Sequence, residues 1–406
     1  MPIRPTSARA SSSWLHRLLI ALSLASIFLW LLPLLSSHRV LFPSGPNFED
    51  IVVYRGRFSL FHTARFFTSR SFSAFAYPAG AAPVYAAFYA TGDAIAAFLI
   101  LSTAATLAAL TGAFLYLRRN HLAHLFPWLL LFTFPLVFLI QRANIELVLW
   151  IIVALGILAW HRGLAWLAAI LFGIGFAIKL YPILLLGLFL GPAGHRSRKN
   201  LSAFMLGIFA ALLSMAAAIA YAGPTFLIAA QGFTTGVDRF QNHYVDTVSR
   251  IEVAFDHSLF SPFKYVTFLH HTSPAPFRHT YYIAAAIFAL LLFLRVRKLP
   301  SLNLLIFLVA AMISLPPVSF TYTLTHLLVP IVLLLTALAN AKSRPPATAV
   351  LTLILLLALT LPLASLSVLG FDPTGPLQSF LLLAVLILTA LEPWPLPSPA
   401  DTHQPR

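Results

Sequence analysis

The chain contains no cysteine and very little charge, and each shortage narrows what it can be. Cysteine is absent from all 406 residues, so disulfides are excluded and the redox compartment cannot be read from thiols. Charged residues make up only 9% of the chain against 60% hydrophobic, and just 11 are acidic. With a mean hydropathy of +0.89, the composition lies far outside the soluble range. No D-x-D occurs anywhere, so a divalent metal has no obvious ligand set, and chemistry without metal or cofactor is expected. There is no internal repeat and no stretch polar enough for a sizeable soluble domain, so function has to reside in the membrane or in its loops.

What the chain does have is a series of apolar runs, many near the length needed to cross a hydrocarbon core of ~30 Å. Twelve are counted, at about 14–36, 93–117, 122–140, 145–160, 164–178, 180–191, 201–222, 280–294, 301–315, 322–340, 347–368 and 377–391. The fold class expected is an all-α polytopic membrane protein of about twelve transmembrane helices, forming one domain over 1–391. A Pro-rich cytoplasmic tail, 392–406, follows. The pair 164–178 and 180–191 is short enough to be either two passes or a re-entrant hairpin. The first run extends to about Leu35 without a small-residue cleavage site, so it is taken as an uncleaved helix.

Alternating the spans from an inside N-terminus gives every charge a side. Arg4, Arg9, Arg17, Arg118, Arg119, Arg162, Arg196, Arg198, Lys199, Arg295, Arg297, Lys298, Lys342, Arg344 and Arg406 fall on the cytoplasmic face with only Glu392 and Asp401, a net of +13. The opposite face carries eleven basic and nine acidic residues, net +2. Most of the formal +15 therefore follows the positive-inside rule, and a nucleic-acid partner is excluded as its explanation. Both termini are placed in the cytoplasm of a plasma (inner) membrane protein. Two long loops, 37–92 and 223–279, face outward.

Polar residues at helix mouths carry the information, because at membrane depth each costs a few kcal/mol unless paired or solvated. Glu49 and Asp50 follow the first span, and Asp50 and Tyr54 would share one face of a short helix. A solvated loop carboxylate is the plain alternative for Asp50. Tyr77, Tyr85 and Tyr89 suit an interfacial segment, where an aromatic belt is the plain alternative. In Q-R-A-N-I-E, Gln141, Arg142 and Asn144 cap the next helix, and an Arg142–Glu146 pair at i,i+4 is the simplest account of Glu146. Lys179, in F-A-I-K-L-Y-P beside Tyr181, either snorkels to lipid phosphate or neutralises a bound phosphate. The second loop is the most polar stretch, with Asp256, His257 and Lys264 among its charges, and Tyr322 and His326 stand one turn apart later.

These segments together resemble glycosyltransferase family 87, membrane mannosyltransferase-like proteins of the GT-C fold. The likeness covers roughly 45–340: Asp50 with Tyr54, Y-P-A-G-A-A-P at 77–83, Q-R-A-N-I-E at 141–146, G-F-A-I-K-L-Y-P at 175–182, D-H-S-L-F at 256–260 and P-P-V-S-F at 316–320. Two positions depart from the family pattern. Ala143 stands where glycine is usual, and Tyr322 where many members have histidine, leaving His326 as the substitute.

The resemblance implies a GT-C-like bundle that moves a hexose, mannose first, from a polyprenyl-phosphate donor to a lipid or glycan acceptor on the external, periplasmic face. Such an inverting displacement needs a carboxylate to take the acceptor proton, for which Asp50 is the candidate and Glu49 the runner-up. Two adjacent side chains are not expected to enter one cavity, so Glu49 should turn away. The leaving phosphate needs nearby positive charge or donors, for which Lys179, Arg142, His257 and His326 are candidates. Tyr54, Tyr77, Gln141, Asn144, Tyr181 and Tyr322, with Glu49, complete the expected substrate contacts. A lipid-linked glycan transporter and a polyprenyl-diphosphate-dependent polymer ligase are the alternatives.

The charge partition is directly testable. Single cysteines placed at Ser69 and Thr235 of this cysteine-free chain should react with a membrane-impermeant thiol reagent in intact cells, whereas one at Ser197 should not. Labelling at Ser197 would invert the topology.

Overall fold

The computed structural model describes residues 8–35, 48–71, 73, 75–191, 198–296, 298–341 and 343–394. Arg4, Arg196, Arg297, Lys342, Asp401, Arg406, residues 37–47 of the first loop and the tail beyond 394 lie outside the described residues. Among the described residues every regular element is helical, and extended pairing is confined to an isolated bridge between Asp256 and Phe320.

Among the described residues five helices are long and apolar enough to cross a membrane: Trp14–Pro33, Ala94–Arg119, Arg198–Ala222, Thr321–Ala339 and Thr374–Leu391. A sixth arises if Ala123–Phe132 and Phe134–Arg142, bent by 47°, count as one span. Shorter apolar helices are Glu146–His161, Ala165–Ile178, Tyr181–Leu190, Ser301–Ser314 and Ala347–Leu359, the first, second and last of which keep Leu155, Trp166 and Leu351 exposed. A 14-residue helix such as Ala165–Ile178 rises about 21 Å, short of the hydrocarbon thickness. Length and composition therefore give five or six crossings among the described residues rather than the twelve counted from apolar runs and charge.

Burial separates outer from inner helices. Ser301–Ser314 is buried from Leu302 onward on every side, the pattern of a core helix. Ala94–Arg119 and Arg198–Ala222 instead expose Ile100, Leu107, Phe209 and Leu212, which is stable only where the surrounding solvent is itself apolar. Arg198–Ala222 packs against Ala165–Ile178 through small residues. A Cβ on Gly173 would stand 2.5 Å from the Gly207 carbonyl oxygen, so glycine permits this backbone approach.

Polar contacts tie helix ends together. Asn340 donates to Asn120 at 3.2 Å, joining two segments that the charge partition puts on one face. Arg295 Nε donates to the Ala390 carbonyl at 2.7 Å, linking two more.

The second long loop is not a solvated strap. It folds as helices Phe226–Phe240, Arg250–Phe255 and Ser261–Leu269, and a buried ion pair fastens its latter half. Asp256 Oδ2 accepts from Lys264 Nζ at 2.8 Å, and Oδ1 accepts from the backbone N–H groups of Ser258 and Ser319 at 3.0 and 2.9 Å. Lys264 also donates to the Tyr244 carbonyl at 2.6 Å. Thr374 and Ser379 of the last helix donate to the Ala254 and Ser258 carbonyls, at 2.6 and 2.7 Å. The polarity of Asp256, His257 and Lys264 is spent on internal bonds, while Asp238, Asn242, His243 and Arg250 stay exposed.

Removing one partner of a fully buried pair typically costs about 3–5 kcal/mol, whereas replacing both with apolar side chains is often neutral. Asp256→Asn should therefore lower the melting temperature in detergent sharply. Asp256→Asn combined with Lys264→Met, which removes both charges but keeps an oxygen for the Ser258 and Ser319 N–H groups, should recover much of that loss.

Candidate active site

A break in the chain organises the polar mouth of the bundle. Helix Phe134–Arg142 ends at Ala143, whose backbone is left-handed (φ 50, ψ 45). For an L-residue with a Cβ this conformation costs roughly 1–2 kcal/mol, and glycine avoids that cost. The glycine that the resemblance leads one to expect here would have a backbone reason. The break also corrects the expected i,i+4 pairing. Arg142 closes one helix and Glu146 opens the next, Glu146–His161, so the two side chains do not share a helical face and each finds other partners.

Arg142 turns to the first loop. Its Nη1 meets Glu49 Oε2 at 2.5 Å and its Nη2 meets Asp50 Oδ1 at 2.7 Å. The Phe48 N–H donates to the Gln141 carbonyl at 2.8 Å, pinning the start of the short helix Glu49–Val52 over the end of Phe134–Arg142. Glu49 was expected to turn away from Asp50, but a forked guanidinium has room for both carboxylates. Glu49 remains 40% exposed, while Asp50 is drawn in to 16%.

Asn144 connects this pair to the interior. Its Oδ1 accepts from the Glu146 N–H at 2.9 Å, which caps the helix. That leaves Nδ2 to donate to Asp50 Oδ2 at 2.7 Å and to the Tyr77 hydroxyl at 3.2 Å. Tyr77 is held there by its neighbour Gly80, whose N–H donates to the Ala177 carbonyl at 2.9 Å. A Cβ on Gly80 would lie 2.5 Å from that carbonyl, so no other residue allows the approach.

Glu146 is the hub. Its carboxylate is fully buried and receives Lys179 Nζ at 2.6 Å, His326 Nε2 at 2.7 Å and the Tyr181 hydroxyl. Helix Ala165–Ile178 stops at Lys179, whose extended backbone (φ −146, ψ 140) separates it from the 3-10 turns Tyr181–Leu190. The ammonium lies 5.5 Å from the Tyr77 ring centre and 5.1 Å from that of Tyr322, distances at which ring faces attract a cation. Lys179 therefore turns inward, with its side chain 12% exposed, rather than snorkelling to lipid headgroups.

The remaining expected site residues divide by location. Tyr54 follows the short helix rather than sharing it with Asp50, and its ring packs edge-on against Tyr77 and Tyr85 at 5.9 and 5.4 Å. Burial pushes its hydroxyl well above the usual tyrosine range, so it stays protonated. Gln141 contributes its backbone carbonyl to Phe48. His257 sits in a second polar knot, its Nε2 against Thr323 Oγ1 at 3.0 Å and Ser319 Oγ at 3.1 Å. Burial, only partly offset by the Asp256 and Glu146 charges, pushes that imidazole down to about 4. It is therefore neutral near pH 7 and brings no charge to a phosphate in this arrangement.

Sequence reasoning left Glu146 out of the site, yet a signal was present. Glu146 and Lys179 are opposite charges, each embedded in apolar sequence at facing ends of consecutive helices, and burial obliges both to pair. Asp256, Lys264, Ser319 and Thr323 were also missed as one unit, since nothing local in the sequence brings 256 beside 319.

An all-helical membrane protein with a carboxylate, a guanidinium and an ammonium joined at its helix mouths defines the class. The particular family follows from comparison: a model of glycosyltransferase family 87 matches residues 75–315, more than half of the chain, and the chain belongs to that family and is a glycosyltransferase. Neither the curated proteins nor the solved structures returned a match. The matched stretch includes Tyr77, Arg142, Asn144, Glu146, Lys179 and His257. Asp50 and His326 lie outside it, yet the fold bonds them to Arg142, Asn144 and Glu146.

The left-handed position gives a test of how this geometry is held. Ala143→Gly should raise stability by about 1 kcal/mol and leave transfer intact. Ala143→Val, β-branched at the same backbone angles, should lower both melting temperature and transfer by displacing Arg142 from Asn144.

Proposed function

We propose that this glycosyltransferase moves a hexose, mannose being the first expectation, from a polyprenyl-phosphate donor to a lipid or glycan acceptor at the outer face of the plasma membrane. The chain then makes twelve crossings, short helices included, with both termini in the cytoplasm. The reading is carried by one observation: a part-buried carboxylate, Asp50, and a part-buried ammonium, Lys179, belong to one bonded network with Tyr77 between them. A displacement at a sugar carbon needs a proton acceptor on one side and stabilisation of the departing phosphate on the other.

In this account the acceptor hydroxyl attacks the anomeric carbon and gives its proton to Asp50. The bond from that carbon to the phosphate oxygen breaks, and its electrons leave with the polyprenyl phosphate, whose added negative charge Lys179 faces. Arg142 and Asn144 orient Asp50 through one oxygen each, and Glu49 shares the guanidinium, so Asp50 is less fully neutralised than in a one-to-one pair. Glu146, His326 and Tyr181 hold Lys179 in place. Tyr77 and Tyr322 frame the ammonium and supply faces for a sugar ring. Apolar surroundings strengthen each of these charge interactions.

Asp50→Asn keeps shape and hydrogen bonding but removes basicity, and should cut transfer by ~10²–10⁴-fold with donor binding retained. Glu49→Gln should cause a smaller loss, because Arg142 remains held by Asp50. Lys179→Met alone would take the ammonium from the buried Glu146 carboxylate, leaving it only His326 and Tyr181, so it is paired with Glu146→Gln. That double variant should stay folded in detergent and bind a polyprenyl-phosphate hexose about tenfold or more weakly. Unchanged donor affinity would remove Lys179 from the site, and near-normal transfer by Asp50→Asn would remove Asp50 as the base.

A further inference from the structure

Helix Ser261–Leu269, in the second long loop, is built inside out. Its polar residues Ser261, Lys264 and Thr267 recur every third position and are each 1% exposed. Its outward face is Phe263, Val266 and Leu269, exposed by 46%, 51% and 56%. A helix bordered by water does the reverse, because apolar burial is the main favourable term in packing it. The buried face is anchored at its centre, where Lys264 is bonded to Asp256 and Tyr244, while Thr267 Oγ1 donates to the Lys264 carbonyl at 2.9 Å and the Ser261 hydroxyl has no partner.

The exposed face also continues into a larger one. Phe263 stacks on Phe277 at 5.9 Å between ring centres. Phe277 lies in the helix Ala275–Val296, whose outward residues include Ile283, Ile287, Leu290 and Leu294. Polar residues reappear at the C-terminal end of the short helix, where His270, His271 and Thr272 are exposed. The neighbouring helix Phe226–Phe240 is an internal contrast. Its first turn exposes Phe226 and Leu227 and its last turn exposes Val237, but around the buried Phe233 its outward residues Gln231, Thr234, Thr235 and Asp238 are polar.

We propose that Ser261–Leu269 is immersed in the acyl chains of the bilayer, with Phe263, Val266, Leu269 and Phe277 forming one lipid-contact surface. The part of the chain that reads as an external loop is then divided: the middle of Phe226–Phe240 presents polar residues to water, and Ser261–Leu269 is solvated by hydrocarbon with its buried Lys264 paired to Asp256. Immersion explains why Lys264 is retained inside rather than outside, since a lysine facing hydrocarbon has no favourable partner. This proposal stands on burial alone and does not depend on which substrate the enzyme uses.

The cysteine-free full-length chain suits a site-directed quenching test. An environment-sensitive fluorophore is attached at Val266→Cys, at Leu269→Cys and, as the aqueous reference, at Thr234→Cys, each in phosphatidylcholine vesicles. Quenching is measured with phosphatidylcholine brominated on its acyl chains and, separately, with aqueous iodide. Positions 266 and 269 should emit to the blue of position 234, be quenched several-fold more by the brominated lipid and resist iodide. Iodide quenching at 266 and 269 equal to that at 234, with no effect of the brominated lipid, would overturn the proposal. Two positions one turn apart guard against a local effect of either substitution.

Discussion

The polar mouth of this protein depends on the burial of one carboxylate. Glu146 lies at the start of an apolar helix with no access to water, and a charge in that position is tolerated only when surrounded by donors. Its three partners come from distant parts of the chain: Lys179 and Tyr181 from the break after helix Ala165–Ile178, and His326 from the 3-10 turns Thr321–Leu327. Satisfying Glu146 therefore fixes where those segments sit relative to one another. Through Asn144, which caps the same helix, the constraint extends to Asp50 and Tyr77 and so to the first loop.

Two backbone features make this convergence possible. The left-handed Ala143 divides Arg142 from Glu146, sending one charge toward the loop carboxylates and the other inward. The extended Lys179 ends its helix where an ammonium can reach Glu146 and lie against two tyrosine faces. A continuous helix at either point would place these charges on lipid-facing or crowded surfaces. The short helices flanking the site are thus the consequence of charges that had to be brought together.

Much of this was legible in the sequence, and the failures have physical causes. Apolar runs near the membrane thickness located the long helices within a few residues: 93–117 against Ala94–Arg119, 201–222 against Arg198–Ala222, 377–391 against Thr374–Leu391. Asp50, Arg142, Asn144, Lys179 and His326 were each marked as polar residues in apolar company, and the fold gathers all five into one network. Their pairing was not read, because i,i+4 spacing assumes an unbroken helix; the one hint, that Ala143 stands where the resemblance expects glycine, marks the left-handed break only once the backbone is seen. His257 was grouped with the phosphate-facing residues on charge type, whereas burial beside Ser319 and Thr323 leaves it neutral. The second loop reads as the most polar stretch, but composition does not say which face a polar residue occupies; Lys264 and Asp256 face each other.

The central claim is that Asp50 and Lys179 address opposite ends of the same bond. The most direct measurement is a cryo-electron-microscopy structure in lipid nanodiscs with a phosphonate analogue of a polyprenyl-phosphate hexose bound. The account predicts phosphonate oxygens against Lys179, the anomeric carbon facing Asp50 and the hexose beside Tyr77. A phosphonate seated away from Lys179, with Asp50 still locked on Arg142 and remote from the anomeric carbon, would contradict it.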